Sequence, residues 1–326
     1  MSRPKVFITR KIPDAGLKLL KKCCDVRIYS KDQIIPRKEL LKGVKWCDAL
    51  LSLLTDKINK EVLNVNPKLK IVSNYAVGFD NIDVAYATSK GIPVTNTPGT
   101  LEDAVAEHTF ALLFTIAKRI VEADTFTRAG EYKNWEPMLF MGTQLKGKTL
   151  GIVGLGRIGS LVAEKAVAMG IGVVYTDIKQ NPDFETKFQA KFLSKESLLK
   201  MADFVSLHVP LLPSTRHLIG SRELKMMKKT AYLINTSRGP VIDEKALVVA
   251  LRKKQIAGAA IDVYEFEPKI SAGLAKLSNV VLTPHIASAT IEARQAMSRI
   301  AAENILAVLR GKRAITPVNK EVYGDK

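Results

Sequence analysis

From residue 149 onward, six short apolar runs each lead into residues able to hold or move charge. TLGIV leads into Gly154-Leu155-Gly156-Arg157-Ile158-Gly159, GVVYT into Asp177, and FVSL into His208, Val209 and Pro210. AYLIN leads into Thr236-Ser237-Arg238-Gly239, GAAI into Asp262 with Glu265 and Glu267 beyond, and VVLT into Pro284-His285. Arg238 lies between two apolar groups, and a buried guanidinium without a partner is costly, so it must meet a carboxylate, a phosphate or water. An acid, a carboxylate and a fixed cation suit carbonyl reduction. Hydride attack on a ketone builds negative charge on its oxygen, and a positioned acid must supply a proton. A histidine suits that task because its ordinary pKa is about 6.5, and a carboxylate on its other nitrogen favours the charged ring. A guanidinium can clamp a substrate carboxylate through two hydrogen bonds while polarising the carbonyl, so a 2-oxo acid is the expected anion for Arg238. Glu265 and Glu267 are two apart and point the same way in an extended segment, so spacing does not choose between them. His108 falls within a long helix and His217 in a loop, and both read as structural or solvated.

Gly154, Gly156 and Gly159 have G-x-G-x-x-G spacing, with a strand before and a helix pattern after. In that context the first glycine makes the turn, the second lets backbone approach a pyrophosphate, and the third lets helix and strand pack closely. The helix N-terminus then offers N–H groups to phosphate. Arg157 either adds a charge there or lies in solvent. Asp177 ends the next strand, 18 residues after the last glycine, where a carboxylate can accept from ribose hydroxyls. The expected cofactor is therefore NAD rather than NADP, although Lys179 nearby weakens the distinction.

The elements that must position these residues follow from alternating strand-like and helix-like stretches, the mark of βαβ units on parallel sheets. The first hundred residues offer five strands, at 6–9, 26–29, 49–53, 71–75 and 94–95, a flavodoxin-like count. From Lys148 onward, six strands are expected, at 149–153, 172–176, 204–209, 231–235, 258–262 and 280–283, the number of a dinucleotide-binding domain. Between them, Thr100 is placed to cap one long apolar helix running to about Arg128. Trp135, Pro137, Met138, Phe140 and Met141 follow in a loop-like stretch that reads as packing, within the chain or against a second subunit. Residues 291–309 form a last helix expected to return to the first domain. The expected organisation is 1–98 as the first part of a substrate-binding domain, 99–287 as the dinucleotide-binding domain, and 288–326 returning to the first. The fold class is thus α/β, with two doubly wound parallel-sheet domains and a Rossmann domain inserted in a flavodoxin-like one.

The formal net charge is +18, but the lysines are dispersed and no aromatic residues interleave with a basic stripe. That pattern reads as a solvated surface rather than a nucleic-acid or membrane surface. The three cysteines, Cys23, Cys24 and Cys47, lack metal-ligand spacing and read as free thiols. No metal is expected. No apolar run approaches the roughly 18 residues of a membrane span. The N-terminus lacks signal-peptide order, so a cytoplasmic location is expected.

Taken in order, NYAVGFDNID, VGLGRIG, HVPLLPSTRHLI, LINTSRG, GAAIDVYEFEP and LTPHIASAT resemble the D-isomer-specific 2-hydroxyacid dehydrogenases from end to end. The opening VFITRKIPDAGLKLL and NYAVGFDNID are most similar to the glyoxylate and hydroxypyruvate reductase branch. The resemblance implies Arg238 as the substrate-binding arginine, Glu267 as the glutamate and His285 as the acid. It places the carboxylate-binding N–H groups at Val77 and Gly78. Arg157 and Ile158 fall where the dinucleotide is touched, Thr236 and Asp262 on the nicotinamide side, and His208 in the pocket wall; His208 and Pro210 are also expected among the cofactor contacts. Phosphoglycerate dehydrogenases carry arginine near the position of Leu53, and none stands here, so a small 2-oxo acid such as glyoxylate or hydroxypyruvate is implied. Formate dehydrogenase relatives carry a glutamine where Glu267 stands. The family also implies a homodimer, for which Trp135 and Met138 either pack at the interface or reach a neighbour's cleft. Alternatives within the family are D-lactate-type or phosphoglycerate dehydrogenases, or a corepressor-like dinucleotide-sensing protein.

Overall fold

A computed structural model of the chain describes residues 2–324. The chain divides into two compact units, Met1–Leu101 with Ala289–Lys326, and Glu102–Ser288. The breaks follow residues 101 and 288, three residues beyond 98 and one beyond 287, and the first helix of the second unit begins at Glu102.

The first unit opens with β1 (Lys5–Ile8), α1 (Asp14–Cys23), β2 (Asp25–Ile28), α2 (Arg37–Trp46) and β3 (Ala49–Leu53). It continues with α3 (Lys60–Asn64), β4 (Ile71–Tyr75), α4 (Val84–Ser89) and β5 (Val94–Thr95). The strands form one parallel sheet in the order β2-β1-β3-β4-β5, the flavodoxin-like order. Strands β3 and β4 are buried nearly throughout, as strands covered on both faces must be.

The second unit contains α5 (Glu102–Ala117), α6 (Ile120–Arg128), β6 (Thr149–Val153), α7 (Arg157–Ala168), β7 (Gly172–Thr176), α8 (Pro182–Phe188), β8 (Lys191–Phe192) and α9 (Lys195–Met201). Then come β9 (Phe204–Leu207), α10 (Ser221–Met226), β10 (Tyr232–Asn235), α11 (Glu244–Arg252), β11 (Gly258–Ile261) and β12 (Val280–Leu282). The sheet is seven-stranded and parallel, in the order β12-β11-β10-β9-β6-β7-β8. This is the Rossmann order with one further strand. The order reverses where β9 lies beside β6, and ligands in such sheets bind outside the carboxyl ends at that point. Its core is aliphatic on both faces, with Leu233, Val205 and Ile261 on one side and Leu150, Ile152 and Ile234 on the other.

Two expectations change. The sheet gains β8, a two-residue edge strand with both residues exposed, too short and too polar to register as a strand in sequence. The long helix expected to run to Arg128 is broken after Ala117. Arg119 adopts a left-handed backbone with φ of 56°, and the Ala117 carbonyl accepts from the N–H of Thr143 instead of continuing the helix. The Thr100 hydroxyl donates to the Thr97 carbonyl at 2.7 Å.

The last helix, α12 (Ile291–Leu309), belongs to the first unit and packs on α1 and β4. Gly16 makes this contact possible: a Cβ there would lie 2.1 Å from the Ser298 carbonyl oxygen. The Ser298 hydroxyl accepts from Gly16 N–H and donates to the Pro13 carbonyl.

Candidate active site

The glycine turn after β6 is built as its spacing requires. Gly154 has φ of 96°, and a Cβ on it would meet the His208 backbone and Val209 at about 3 Å. Gly159 lies so close beneath it that a Cβ would be 2.1 Å from the Gly154 carbonyl oxygen. Gly156 differs, because no atom lies within 4 Å of the place a Cβ would occupy. Helix α7 starts there with no side-chain cap and no acidic residue in its first turn. An open approach, uncapped N–H groups and the positive end of a helix fit a dinucleotide pyrophosphate. Arg157 extends into solvent, with its guanidinium 3.7 Å from Glu102. Ile158 is partly buried and packs against the core of this unit.

Asp177 accepts from Leu155 N–H on one oxygen and from Ile178 N–H on the other, both at 2.6 Å. It therefore ties the glycine turn to the end of β7. His208, after β9, has Nε2 2.8 Å from the Ser206 hydroxyl, and burial pushes its imidazole down to about 3, so the ring is neutral. Pro210 is exposed and its carbonyl accepts from Thr215. The Thr236 hydroxyl is 3.0 Å from that of Thr109 on α5.

Beyond β10, Asn235 braces the turn that carries the arginine. Its amide donates to the Arg238 carbonyl, and its oxygen accepts from Ser237 N–H and hydroxyl. Arg238 is half-buried in extended backbone and donates to the Ser237 carbonyl at 2.8 Å. Gly239 then passes so close to Tyr264 that a Cβ would lie 1.9 Å from its carbonyl group. The arginine turn and the glutamate loop are thus in backbone contact.

His285 follows β12 with φ of 56°, held by its N–H on the Asp262 carbonyl at 2.8 Å. Its Nδ1 is 2.9 Å from Glu267 Oε2, and Glu267 Oε1 accepts from Tyr264 N–H at 3.0 Å. Both side chains keep about a quarter of their surface in solvent, 25% for His285 and 28% for Glu267. With Nδ1 turned to the carboxylate, Nε2 is the nitrogen left to act on a substrate. The choice left open by spacing is resolved, because Glu265 is turned instead to His217 Nε2 at 2.7 Å.

Asp262, expected on the nicotinamide side, is fully buried. Its carboxylate accepts from the Thr283 hydroxyl at 2.6 Å and from Ile286 and Ala287 N–H at 2.9 Å. His108 Nε2 lies 3.5 Å away. Burial alone would raise this carboxyl, but these donors outweigh it and hold it below the usual carboxylate range. Asp262 and His108 fix the turn that presents His285.

The first unit carries the other residues singled out in the sequence. The Ala76 carbonyl accepts from Thr97 N–H at 2.9 Å, and the Val77 carbonyl from the Asn96 amide at 2.7 Å. These carbonyls belong to the peptide planes whose N–H groups are those of Val77 and Gly78. In a trans peptide the N–H points opposite the carbonyl, so both donors have fixed directions. Asn74 holds the Gly78 carbonyl, and Asn81 holds those of Leu53 and Asp56. Leu53 is half-buried, and its N–H donates to Asp56 at 2.8 Å. The asparagines were not foreseen. The only sequence signal was their placement just after or within strand ends.

Comparison with known proteins agrees with this geometry. The family model described as D-isomer specific 2-hydroxyacid dehydrogenase, NAD binding domain, matches residues 110–287. A glyoxylate reductase of Thermofilum pendens is 53% identical over 326 residues, covering 99% of this chain and 96% of that protein. One from Thermococcus litoralis is 51% identical over 324 residues, covering 98% of each. A crystal structure of a Thermus thermophilus protein matches with a TM-score of 0.91 at 42% identity, covering 96% of this chain and 99% of that one. The chain belongs to the D-isomer specific 2-hydroxyacid dehydrogenase family, and it is an NAD(P)-dependent dehydrogenase.

Proposed function

We propose that the protein reduces a small 2-oxo acid, glyoxylate or hydroxypyruvate, to the D-2-hydroxy acid, with His285 as proton donor. The observation that carries this reading is the 2.9 Å contact of His285 Nδ1 with Glu267, on the same sheet edge as the Arg238 turn and the glycine turn. Gly154, Gly156, Ile158 and Gly159 would hold the pyrophosphate side of the dinucleotide, and Asp177, Thr236, His208 and Pro210 its remaining parts. The bound dinucleotide supplies the hydride. Arg238 grips the substrate carboxylate and draws charge toward the carbonyl oxygen. The directed N–H groups of Val77 and Gly78, in the first unit, are the carboxylate donors that the family resemblance implies. As negative charge develops on that oxygen, His285 Nε2 gives up its proton to it. Glu267 keeps the ring oriented and stabilises its charged form before transfer. The neutral imidazole that remains keeps Nδ1–H on Glu267.

Leu53 supports a substrate without a second anion, since an apolar side chain offers nothing to a phosphate. The high identity to glyoxylate reductases supports the same choice. Asp177 supports NADH over NADPH, because a carboxylate repels a 2′-phosphate. Self-association as a homodimer is supported by exposed Ile120, Val121, Tyr132, Trp135, Met138 and Met141 on and after α6. No helix among the described residues is long and apolar enough to cross a membrane. The free cysteines support a reducing, cytoplasmic setting.

The test compares kcat/KM for glyoxylate, hydroxypyruvate, pyruvate and phosphohydroxypyruvate with NADH and with NADPH. Glyoxylate or hydroxypyruvate with NADH should lead, and a lead by the phosphorylated acid would overturn the reading of Leu53. His285→Ala should lower kcat about 10³-fold while NADH binding changes little. A dinucleotide-sensing binding protein would keep its main activity in that variant.

A further inference from the structure

The loop that presents Glu267 has almost no core to hold it. Residues 266–270 are all exposed. Its two ends, however, are fastened by a single buried carboxylate. Glu244, the first residue of α11 and only 2% exposed, accepts from Glu265 N–H at 2.6 Å and from Ser271 N–H at 3.0 Å. Glu267 lies between those two anchors. Glu265 returns the contact more loosely, with its carboxylate 3.4 Å from Glu244 N–H.

The Glu265 side chain is only 5% exposed. His217 Nε2 meets it at 2.7 Å and Arg216 Nη2 at 3.4 Å. The backbone N–H of His217 donates to the Pro240 carbonyl at 2.8 Å, two residues beyond Arg238. One residue therefore reaches the arginine turn through its main chain and the glutamate loop through its ring. Burying two carboxylates side by side is costly for stability. Here each is met by directed donors, and Glu244 also sits at the positive end of a helix. What the arrangement secures is the position of an otherwise exposed loop.

We infer that Glu244 and His217 are positioning residues that hold, through Glu265, the loop presenting Glu267 to His285. The inference rests on the reading of Glu267 as the partner of the proton donor. Neither residue touches substrate or cofactor in this scheme.

A double-mutant cycle on the full-length enzyme tests it, with NADH oxidation by glyoxylate as the assay and NADH affinity measured separately. Glutamine at position 244 keeps the size but cannot accept from both N–H groups, since one of its two polar atoms is a donor. Glu244→Gln should lower kcat about tenfold and leave the NADH Kd within about twofold. In the Glu267→Gln background the same change should cost less than about twofold, because the loop then has nothing to deliver. An equal loss in both backgrounds would show a merely structural role and overturn the inference, as would a kcat close to that of the unaltered enzyme. His217→Ala, at a partly exposed position, provides a second cycle if Glu244→Gln does not fold. It should lower kcat about threefold, again only when Glu267 is present, and an additive or silent outcome overturns the proposal. If Glu267→Gln alone leaves kcat unchanged, the reading of Glu267 fails and the inference falls with it. If Glu267→Gln is impaired but neither cycle shows coupling, only the inference fails.

Discussion

At the carboxyl ends of β3, β4 and β5 in the five-stranded sheet, the polar work is done by neutral amides. Asn74, Asn81 and Asn96 each hold backbone carbonyls, and what they fix is the direction of peptide planes. At the corresponding edge of the seven-stranded sheet, the ends of β10, β11 and β12 lead to Arg238, Glu267 and His285. Both edges follow the same rule of parallel-sheet architecture. They differ in what the chemistry asks of them. Recognising a carboxylate requires only N–H donors that do not move, and a backbone plane held at its carbonyl supplies them. Moving a proton and stabilising developing charge requires groups whose own charge can change or persist.

The largest effect should come from the charged edge. Arg238→Ala is expected to lower kcat/KM for glyoxylate about 10³-fold, through kcat as well as KM, because the cation is needed most as charge develops. A loss of less than tenfold would erase the distinction between the two edges. Asn96→Ala should act more gently. It frees the plane carrying the Gly78 N–H, so KM should rise about tenfold with kcat nearly unchanged, the signature of lost uniform binding. A fall in kcat of the same size would mean that the amide edge also serves the transition state.

The smallest effect concerns stability and shows that the charged edge is not charged throughout. Burial lowers His208 to about 3 from an ordinary 6.5. Between those values the unfolded chain binds a proton that the folded chain refuses, so stability must fall as pH drops from about 6.5 toward 3. Solvent reaches part of the residue, so we expect about 2 kcal/mol from this group rather than the nearly 5 that the full shift implies. His208→Asn should flatten the pH dependence of urea unfolding by that amount, and an unchanged slope would mean that the ring is not desolvated.

Much of this was legible in advance where the signal is local. β3, β4, β5, β6 and β7 have the bounds read from apolar runs, because strands buried on both faces leave uninterrupted aliphatic stretches. Edge strand β8 left no such stretch and was not foreseen. Nor was the break between α5 and α6, where Arg119 turns left-handed and the Ala117 carbonyl accepts from the N–H of Thr143, far along the chain. Asp262 stood at a strand end like the others, and nothing in its neighbours along the chain revealed that it would be fully enclosed by Thr283, Ile286 and Ala287.

The order of the amino acids alone determined the two parallel sheets, the glycine turn and the set of side chains gathered at strand ends. Hydrophobic period, chain reversal and backbone freedom at glycine are properties of neighbouring residues. Only the tertiary structure decided which partner each of the other carboxylates meets, which of them hold loops, and which amides aim the backbone of Val77 and Gly78. Each of those roles is assigned by a hydrogen bond between residues distant along the chain, and such a bond exists only once the fold has brought its two ends together.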